Sequence, residues 1–409
     1  MPEIYDVIVV GGGPGGLAAG IYGSRAKLRT AIVEKGRAGG QAATTAEMEN
    51  YPGFFEDATG PGLMDRFAAH AERFGTEIIK GLVTDVELSG AVKNVKLKNG
   101  NELLGRTVVL SPGAEPRSLN VKGEGKLRGK GVSYCATCDA DFFEELDIVV
   151  IGNGDAAIEE AIYLTKFAET VTIVVIHDEG TLDCNKASAE KAFANPKLKW
   201  VWNSVLDEIV GEDLVEEVLL KNIKTGEVSR LETQGVFFFV GTVPKTEFLR
   251  GKVELDGHGY IVANEMMETS VPGVYAAGDA RAKYLRQVVT AAADGAVAAV
   301  AAEKYLSEME GFREQVLESA IPVLLAFWSP QIDKSIEAIS LLEKAAGESG
   351  GRVKLHKIDT YRNTKTSSSY GVSAIPTVLL FDNGEVKGRL DGDFALEDVE
   401  KLINIISGA

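Results

Sequence analysis

Short apolar runs of β-branched residues, each closed by glycines and followed by a helical stretch, recur along the chain and set its plan. Val7-Ile8-Val9-Val10 is the first, leading into Gly11-Gly12-Gly13-Pro14-Gly15-Gly16 and the helical Leu17-Ala18-Ala19-Gly20-Ile21. Ile148-Val149-Val150-Ile151 is the second, leading into Gly152-Asn153-Gly154-Asp155-Ala156-Ala157 and a helix over 158–166. Runs without polar alternation suit strands buried on both faces, and the strand–turn–helix order marks the start of a βαβ unit. Thr30-Ala31-Ile32-Val33 and Val274-Tyr275-Ala276-Ala277 read as further buried strands. A third pattern opens late, with Val323-Leu324-Leu325-Ala326-Phe327-Trp328, an amphipathic helix through Leu341-Leu342 and a strand over 353–358. It continues through Val378-Leu379-Leu380-Phe381 and the hairpin signal Asp382-Asn383-Gly384-Glu385 to helical spacing over 396–406. The charge-rich stretch 307–314 before it reads as a linker or a helix end. The alanine-rich stretch 288–302 is interrupted by Asp294 and falls short of the ~20 apolar residues of a membrane span, so it reads as a buried helix.

Composition narrows the partners. A chain of 409 residues has room for two to four domains, and 45% hydrophobic with 25% charged residues is ordinary for a soluble protein. The formal net charge of −17 argues against nucleic acid and anionic membranes as partners. Three cysteines do not make a disulfide scaffold, which points to a reducing cytoplasm. Met1-Pro2-Glu3-Ile4-Tyr5-Asp6 has no basic segment and runs straight into a strand, unlike a secretion signal.

The chemistry lies between the two glycine turns. Cys135-Ala136-Thr137-Cys138-Asp139 places two cysteines one helical turn apart, where a helix N-terminus would hold an exchangeable disulfide and lower a thiol pKa. Asp139 is the adjacent acid for the thiolate left behind in exchange, if burial raises its pKa. Half a zinc site is excluded because Cys184 stands alone and His70, His177, His258 and His356 are scattered, so no metal is expected. Gly11, Gly13 and Gly16 satisfy G-x-G-x-x-G with Pro14 inside the turn, and Glu34 ends the next strand where it can accept ribose hydroxyls. Gly278-Asp279 ends the late strand, and Arg286-Gln287-Val288 opens the alanine-rich helix, whose N-terminus suits a reduced isoalloxazine.

Together these motifs resemble the low-molecular-weight bacterial thioredoxin reductases over roughly residues 1–307. The resemblance rests on Gly39-Gly40-Gln41, Glu49-Asn50-Tyr51-Pro52-Gly53, Gly131-Val132-Ser133-Tyr134 with the cysteines and Asp139, Gly278-Asp279 and Arg286-Gln287. It implies an FAD domain in two segments, 1–116 and 245–307, with a second nucleotide-binding-like domain, 117–244, inserted between them and carrying the cysteines. It assigns FAD to the turn Gly11, Gly13, Pro14 and Gly16, and to Glu34, Gly40, Gln41, Asn50, Gly113, Gly278, Asp279, Arg286, Gln287 and Val288. Ser111-Pro112-Gly113-Ala114 departs from the family's usual Ala-Thr-Gly-Ala there. The resemblance also makes Cys138 the flavin-facing thiol, Cys135 the interchange thiol, and the protein a homodimer whose inserted domain rotates about crossings near 114–120 and 240–247.

The second turn departs further. Gly152, Gly154 and Ala157 fit G-x-G-x-x-A, but the family's His-Arg-Arg run for the NADPH 2′-phosphate is replaced by Val175-Ile176-His177-Asp178-Glu179, with no arginine nearby. A carboxylate ~6 Å from a phosphate charge discriminates by roughly a hundredfold at a dielectric of ~20. NADPH is therefore disfavoured, while NADH and a non-nicotinamide donor such as ferredoxin both stay open. The stretch 315–409 resembles thioredoxin, with Ile375-Pro376-Thr377 matching its cis-proline segment, but Ile332-Asp333-Lys334-Ser335 replaces Cys-Gly-Pro-Cys. The expected architecture is α/β: two Rossmann-like three-layer domains and a redox-inactive thioredoxin fold. The expected activity is FAD-dependent reduction of a disulfide in thioredoxin or a similar small protein. A redox-sensing flavoprotein that binds partners through the inactive domain is the alternative of another class.

Overall fold

The computed structural model describes residues 3–44, 48, 50–54, 59–361 and 363–407, so Met1, Pro2 and Glu49 of the motifs above lie outside the described residues. The first apolar run is the strand Ile4–Val10, flanked by parallel strands Thr30–Glu34 and Glu102–Leu110. Val7, Ile8 and Val9 are fully buried, as a run without polar alternation requires. Glu77–Lys80 extends this sheet on one side, and the antiparallel strands Lys93–Leu97 and Val83–Glu87 extend it on the other. The late strand Val274–Ala276 returns to it, pairing parallel with Glu102–Leu110. One nucleotide-type sheet is thus built from segments more than 160 residues apart in sequence (Val108 against Val274).

The second run is the strand Asp147–Ile151, central in a five-stranded parallel sheet. That sheet runs Leu198–Val201, Thr170–Val174, Asp147–Ile151, Gly235–Phe238, Val132–Ser133. Beside it, Ser204–Val210, Glu217–Asn222 and Val228–Glu232 form a three-stranded antiparallel sheet. The expected crossings near 114–120 and 240–247 run side by side: Ala114–Pro116 pairs antiparallel with Thr242–Pro244 as a two-stranded ribbon.

The chain divides into two compact units, Met1–Ala302 and Glu303–Ala409. The charged stretch 307–314 is helix, not linker: Val288–Phe312 runs through most of it and Arg313–Leu317 adds a wider turn. Its charges pair along the helix, Lys304 with Glu308 and Arg313 with Glu310 at 2.9 Å, so polarity there does not oppose helicity. No described helix is long and apolar enough to cross a membrane.

In the second unit a four-stranded sheet runs Lys354–Asp359, Val323–Trp328, Thr377–Asp382, Glu385–Asp391. The helices Asp333–Glu348 and Leu396–Asn404 share one core with it through Ile339, Leu342, Leu402 and Ile403. Phe327, Phe381 and Tyr370 pack on the other face with Phe312. The Ile375–Pro376 peptide bond is cis. Ser335, where thioredoxin has its second cysteine, is fully buried, and its Oγ accepts a 2.8 Å hydrogen bond from the Ser329 N–H.

Candidate active site

Cys135 and Cys138 are joined by a disulfide, with their Cα atoms 5.4 Å apart. Cys135 stands just before the single turn Ala136–Asp139, so the spacing yields the expected helix start, but a helix this short contributes little dipole. The thiol environment is therefore set by side chains. Gln287, at the head of the alanine-rich helix, reaches the pair from about 150 residues away. Its Nε2 donates to Thr137 Oγ1 at 3.2 Å and lies 3.8 Å from Cys135 Sγ, while its Oε1 lies 4.0 Å from Cys138 Sγ. Asn50 Nδ2 donates to the same Gln287 Oε1 at 3.0 Å. Of the residues expected at the flavin, Gln287 thus contacts the disulfide and Asn50 supports it through Gln287. A cavity of about 200 Å³ opens beside Cys138 and Asn50, with Thr137, Asp141, Tyr163 and Phe167 among its walls.

Asp139 lies behind the pair. Burial raises its carboxyl above the ordinary value, outweighing the opposing hydrogen bond that Ser133 Oγ donates at 2.6 Å; Asp141 adds repulsion. The same hydroxyl accepts from the Cys135 N–H at 3.1 Å, tying the acid to the cysteine's backbone. Asp139 is half-buried with its carboxyl raised, which is the condition the sequence attaches to its service as the acid.

The residues of the first turn fit a flavin dinucleotide. Gly11 has φ +101°, and a Cβ there would fall 2.1 Å from Ser111 O; one on Gly16 would fall 1.9 Å from Gly11 O. Gly13 faces open space, with nothing within 4 Å of a built Cβ, and Pro14 begins the helix Pro14–Arg25. That leaves room for a pyrophosphate at the helix N-terminus. Glu34 accepts from the Gly12 N–H at 2.8 Å and the Gly36 N–H at 3.1 Å, keeping lone pairs for ribose. Asp279 gives the clearest sign: its Oδ1 is buried without a hydrogen-bond partner, and burial raises its carboxyl despite Lys283 and Arg286 nearby. A buried acceptor in that state calls for a ligand donor.

Arg286 stacks 4.1 Å above Tyr260 and donates to Asp279 O at 3.4 Å, so it frames the turn. Val288 begins the long helix. Gly40, which opens the short 3-10 helix Gly40–Thr44, and Gly113 adopt positive φ, +59° and +78°. Gln41 behaves otherwise: Nε2 donates to Glu115 at 3.2 Å, and Oε1 accepts from Arg128 at 3.4 Å, which links the two nucleotide-type parts. Gly11→Ala is expected to lower the flavin-to-protein ratio of the purified chain, read by absorbance, and to cost about 1–3 kcal/mol through the forced contact with Ser111.

At the second turn Gly152 has φ +131°, and a Cβ would fall 2.6 Å from Phe239 O, while Ala157 is fully buried; the tight turn is real. Its surroundings differ from expectation. Asp178 pairs with Lys224, which holds its carboxyl below the usual value and sets a cation beside it. The acid at the turn is Asp183, which sequence reasoning passed over. Its N–H donates to Asn153 O at 3.1 Å, and its Oδ2 accepts from Asn153 Nδ2 at 3.1 Å and lies 2.9 Å from His177 Nε2. His177, then Asn153, keep it ionised. Asp155 Oδ1 accepts from Asn185 N–H and Nδ2 at 2.7 and 2.9 Å, which folds the loop 178–185 over the turn.

Comparison with known proteins agrees with this layout. Residues 5–295 match the family model described as pyridine nucleotide-disulphide oxidoreductase, and residues 303–405 match that of thioredoxin. A protein named thioredoxin reductase from Peptoclostridium acidaminophilum is 49% identical over 75% of this chain and 98% of its own. A bifunctional thioredoxin reductase/thioredoxin from Mycobacterium leprae is 36% identical over 95% of this chain and 94% of its own. The crystal structure of thioredoxin reductase from Streptococcus pyogenes superposes with a TM-score of 0.71 at 41% identity, over 75% of this chain and all of that one.

Proposed function

We propose, since the chain belongs to the pyridine nucleotide-disulphide oxidoreductase family and is of the thioredoxin reductase type, that it reduces a disulfide of thioredoxin or a similar small protein through Cys135 and Cys138. The supporting observation is Gln287, a residue of the expected flavin site, in contact with both sulfurs. In this reading the FAD domain comprises 1–116 and 245–307, the inserted domain 117–244, and the appended thioredoxin-like domain 315–409. Bound FAD supplies the two electrons that open the disulfide. Asn50, Gln287 and Thr137 orient the sulfurs for that step. The Cys135 thiolate then attacks one sulfur of the acceptor disulfide, forming a mixed disulfide. Asp139 gives its proton to the thiolate that leaves. Cys138 attacks Cys135 Sγ, releases the second acceptor thiol and restores the internal disulfide. The cysteines cannot face the flavin and a bulky protein together, so in this reading the inserted domain turns about the ribbon Ala114–Pro116 with Thr242–Pro244.

The family implies a nicotinamide donor, and the second turn bears on which one. No arginine lies between Arg128 and Arg230, and Asp183 and Asp155 stand at the turn, so a 2′-phosphate meets carboxylates there and no guanidinium. NADH, or a one-electron protein such as ferredoxin reaching the flavin directly, is the donor in this reading. The acceptor is external, because Ile332 and Ser335 leave the appended domain without a dithiol. A redox-sensing role for that domain is the second reading favoured by the same two residues. A cytoplasmic homodimer completes the proposal. The test is anaerobic titration of the flavin absorbance with NADH, NADPH and reduced ferredoxin in parallel. Bleaching is expected with NADH or ferredoxin; rapid bleaching by NADPH would overturn the donor assignment.

A further inference from the structure

Asp294 stands in the alanine-rich stretch of the Val288–Phe312 helix, and its side chain is only 8% exposed. Its Oδ2 accepts from the Gly278 N–H at 3.1 Å and from Lys283 Nζ at 2.7 Å, while Oδ1 accepts from Arg281 Nη2 at 3.1 Å. Lys283 is as deeply placed, with 6% of its side chain exposed, and Arg281 shows 16%. Ions at this depth persist only where each has a charged partner, and here one carboxylate serves two cations. The next residue, Gly295, presses the helix on the first glycine turn: a Cβ there would lie 1.9 Å from Gly15 O. Asp294 is thereby fixed against the first turn.

Asp279 adjoins Gly278 and has the opposite arrangement. Its Oδ1 is buried without a partner, although Lys283 and Arg286 are near enough to attract its charge. The ammonium best placed to pair with it is taken by Asp294. A carboxylate already ion-paired gains little from accepting ligand hydroxyls, because the charge-assisted bond must first be shared or broken. We propose that Asp294 is a positioning residue for the flavin. By holding the Gly278 N–H and drawing Lys283 and Arg281 to itself, it keeps the Asp279 carboxylate free for the hydroxyl groups of a bound flavin nucleotide. The inference rests on the flavin reading above and deepens it.

The holoprotein tests it through flavin release, read as the rise in free-flavin fluorescence after dilution. Asp294→Asn keeps an acceptor for Gly278 and removes the charge, which frees Lys283 to pair with Asp279; release is expected to be at least about tenfold faster than in the wild type. Removing the freed cation in Asp294→Asn with Lys283→Met should bring release back to within about threefold of wild type, a coupling that a merely structural acid would not show. Release unchanged in the single variant, or equally fast in the double, would overturn the proposal, as would failure of both variants to fold. A wild-type chain that purifies without flavin sinks the functional reading as well. A flavin-retaining wild type beside an unaffected single variant sinks this inference alone.

Discussion

Cys135→Ser is expected to lower turnover with a protein disulfide by at least ~10³-fold, and Cys138→Ser to do the same while trapping a covalent adduct. The two outcomes differ because the roles differ. Without Cys135 no thiolate reaches the acceptor, so nothing accumulates on the enzyme. Without Cys138 the interchange thiol, once reduced by added dithiol, still attacks, but the mixed disulfide lacks its resolving neighbour and persists. Intact-mass measurement after mixing with an acceptor reads the adduct directly, and it should appear in Cys138→Ser alone. Unfolding is no competing account: closing so short a loop contributes about 2 kcal/mol at most. The second unit carries its own core and is untouched by either change. Full disulfide reduction by Cys135→Ser would sink the enzymatic reading, and an adduct on Cys135→Ser instead would reverse the two roles.

The next largest effect belongs to Asp139. Asp139→Asn is expected to slow the interchange step by about 10²–10³-fold, the usual loss when a positioned acid is removed. It also removes a limb from the pH profile. Burial raises the carboxyl above its ordinary value, so the proton is fully held below that ordinary value and is lost as pH rises through the raised one. Wild-type interchange therefore weakens along that limb as pH rises, whereas the amide variant is flat there. Stability carries the same sign: the folded state holds the proton more tightly than the unfolded chain, so part of its stability fades as pH climbs through the raised value. Asp85, whose carboxyl Lys252 lowers, behaves in the opposite sense, its contribution fading as pH falls. Stopped-flow rates of acceptor reduction across pH, wild type against variant, check both features; parallel profiles would remove Asp139 from the proton path.

Sequence made the frame legible because glycine turns and β-branched runs act locally. Gly11 and Gly152 need positive φ where they stand, and the strands before them are buried whatever lies beyond. The cysteine spacing and the acid beside it are likewise local matters, since Asp139 follows Cys138 directly and its partner Ser133 is six residues away. What escaped were pairings made across the fold. Lys224 sits in the turn after Glu217–Asn222, and nothing in the loop at Asp178 announces that it will be neutralised from there. Gln41 was expected beside the cofactor, yet its amide is divided between Glu115, far along the same segment, and Arg128, which it meets only when the nucleotide-type parts come together. Asp294 did leave a signal, an acid in an alanine-rich helix, but sequence used it only to exclude a membrane span. The stretch 307–314 was half legible: its composition suits a linker, and its i,i+3 and i,i+4 charge pairs favour the helix it forms.

Ser335, buried and hydrogen-bonded to Ser329 where a second cysteine would stand, has a kinetic consequence. A tethered thioredoxin with working cysteines would meet its reductase at an effective concentration fixed by the linker, near the millimolar range for a short one, and turnover would be indifferent to dilution. Here no such internal collision can pass electrons on. On the proposed function, delivery is second order in a freely diffusing acceptor, so the rate tracks the abundance of that acceptor. Reducing power can then be shared among several small disulfide proteins in proportion to their supply, rather than captured by the one covalently attached.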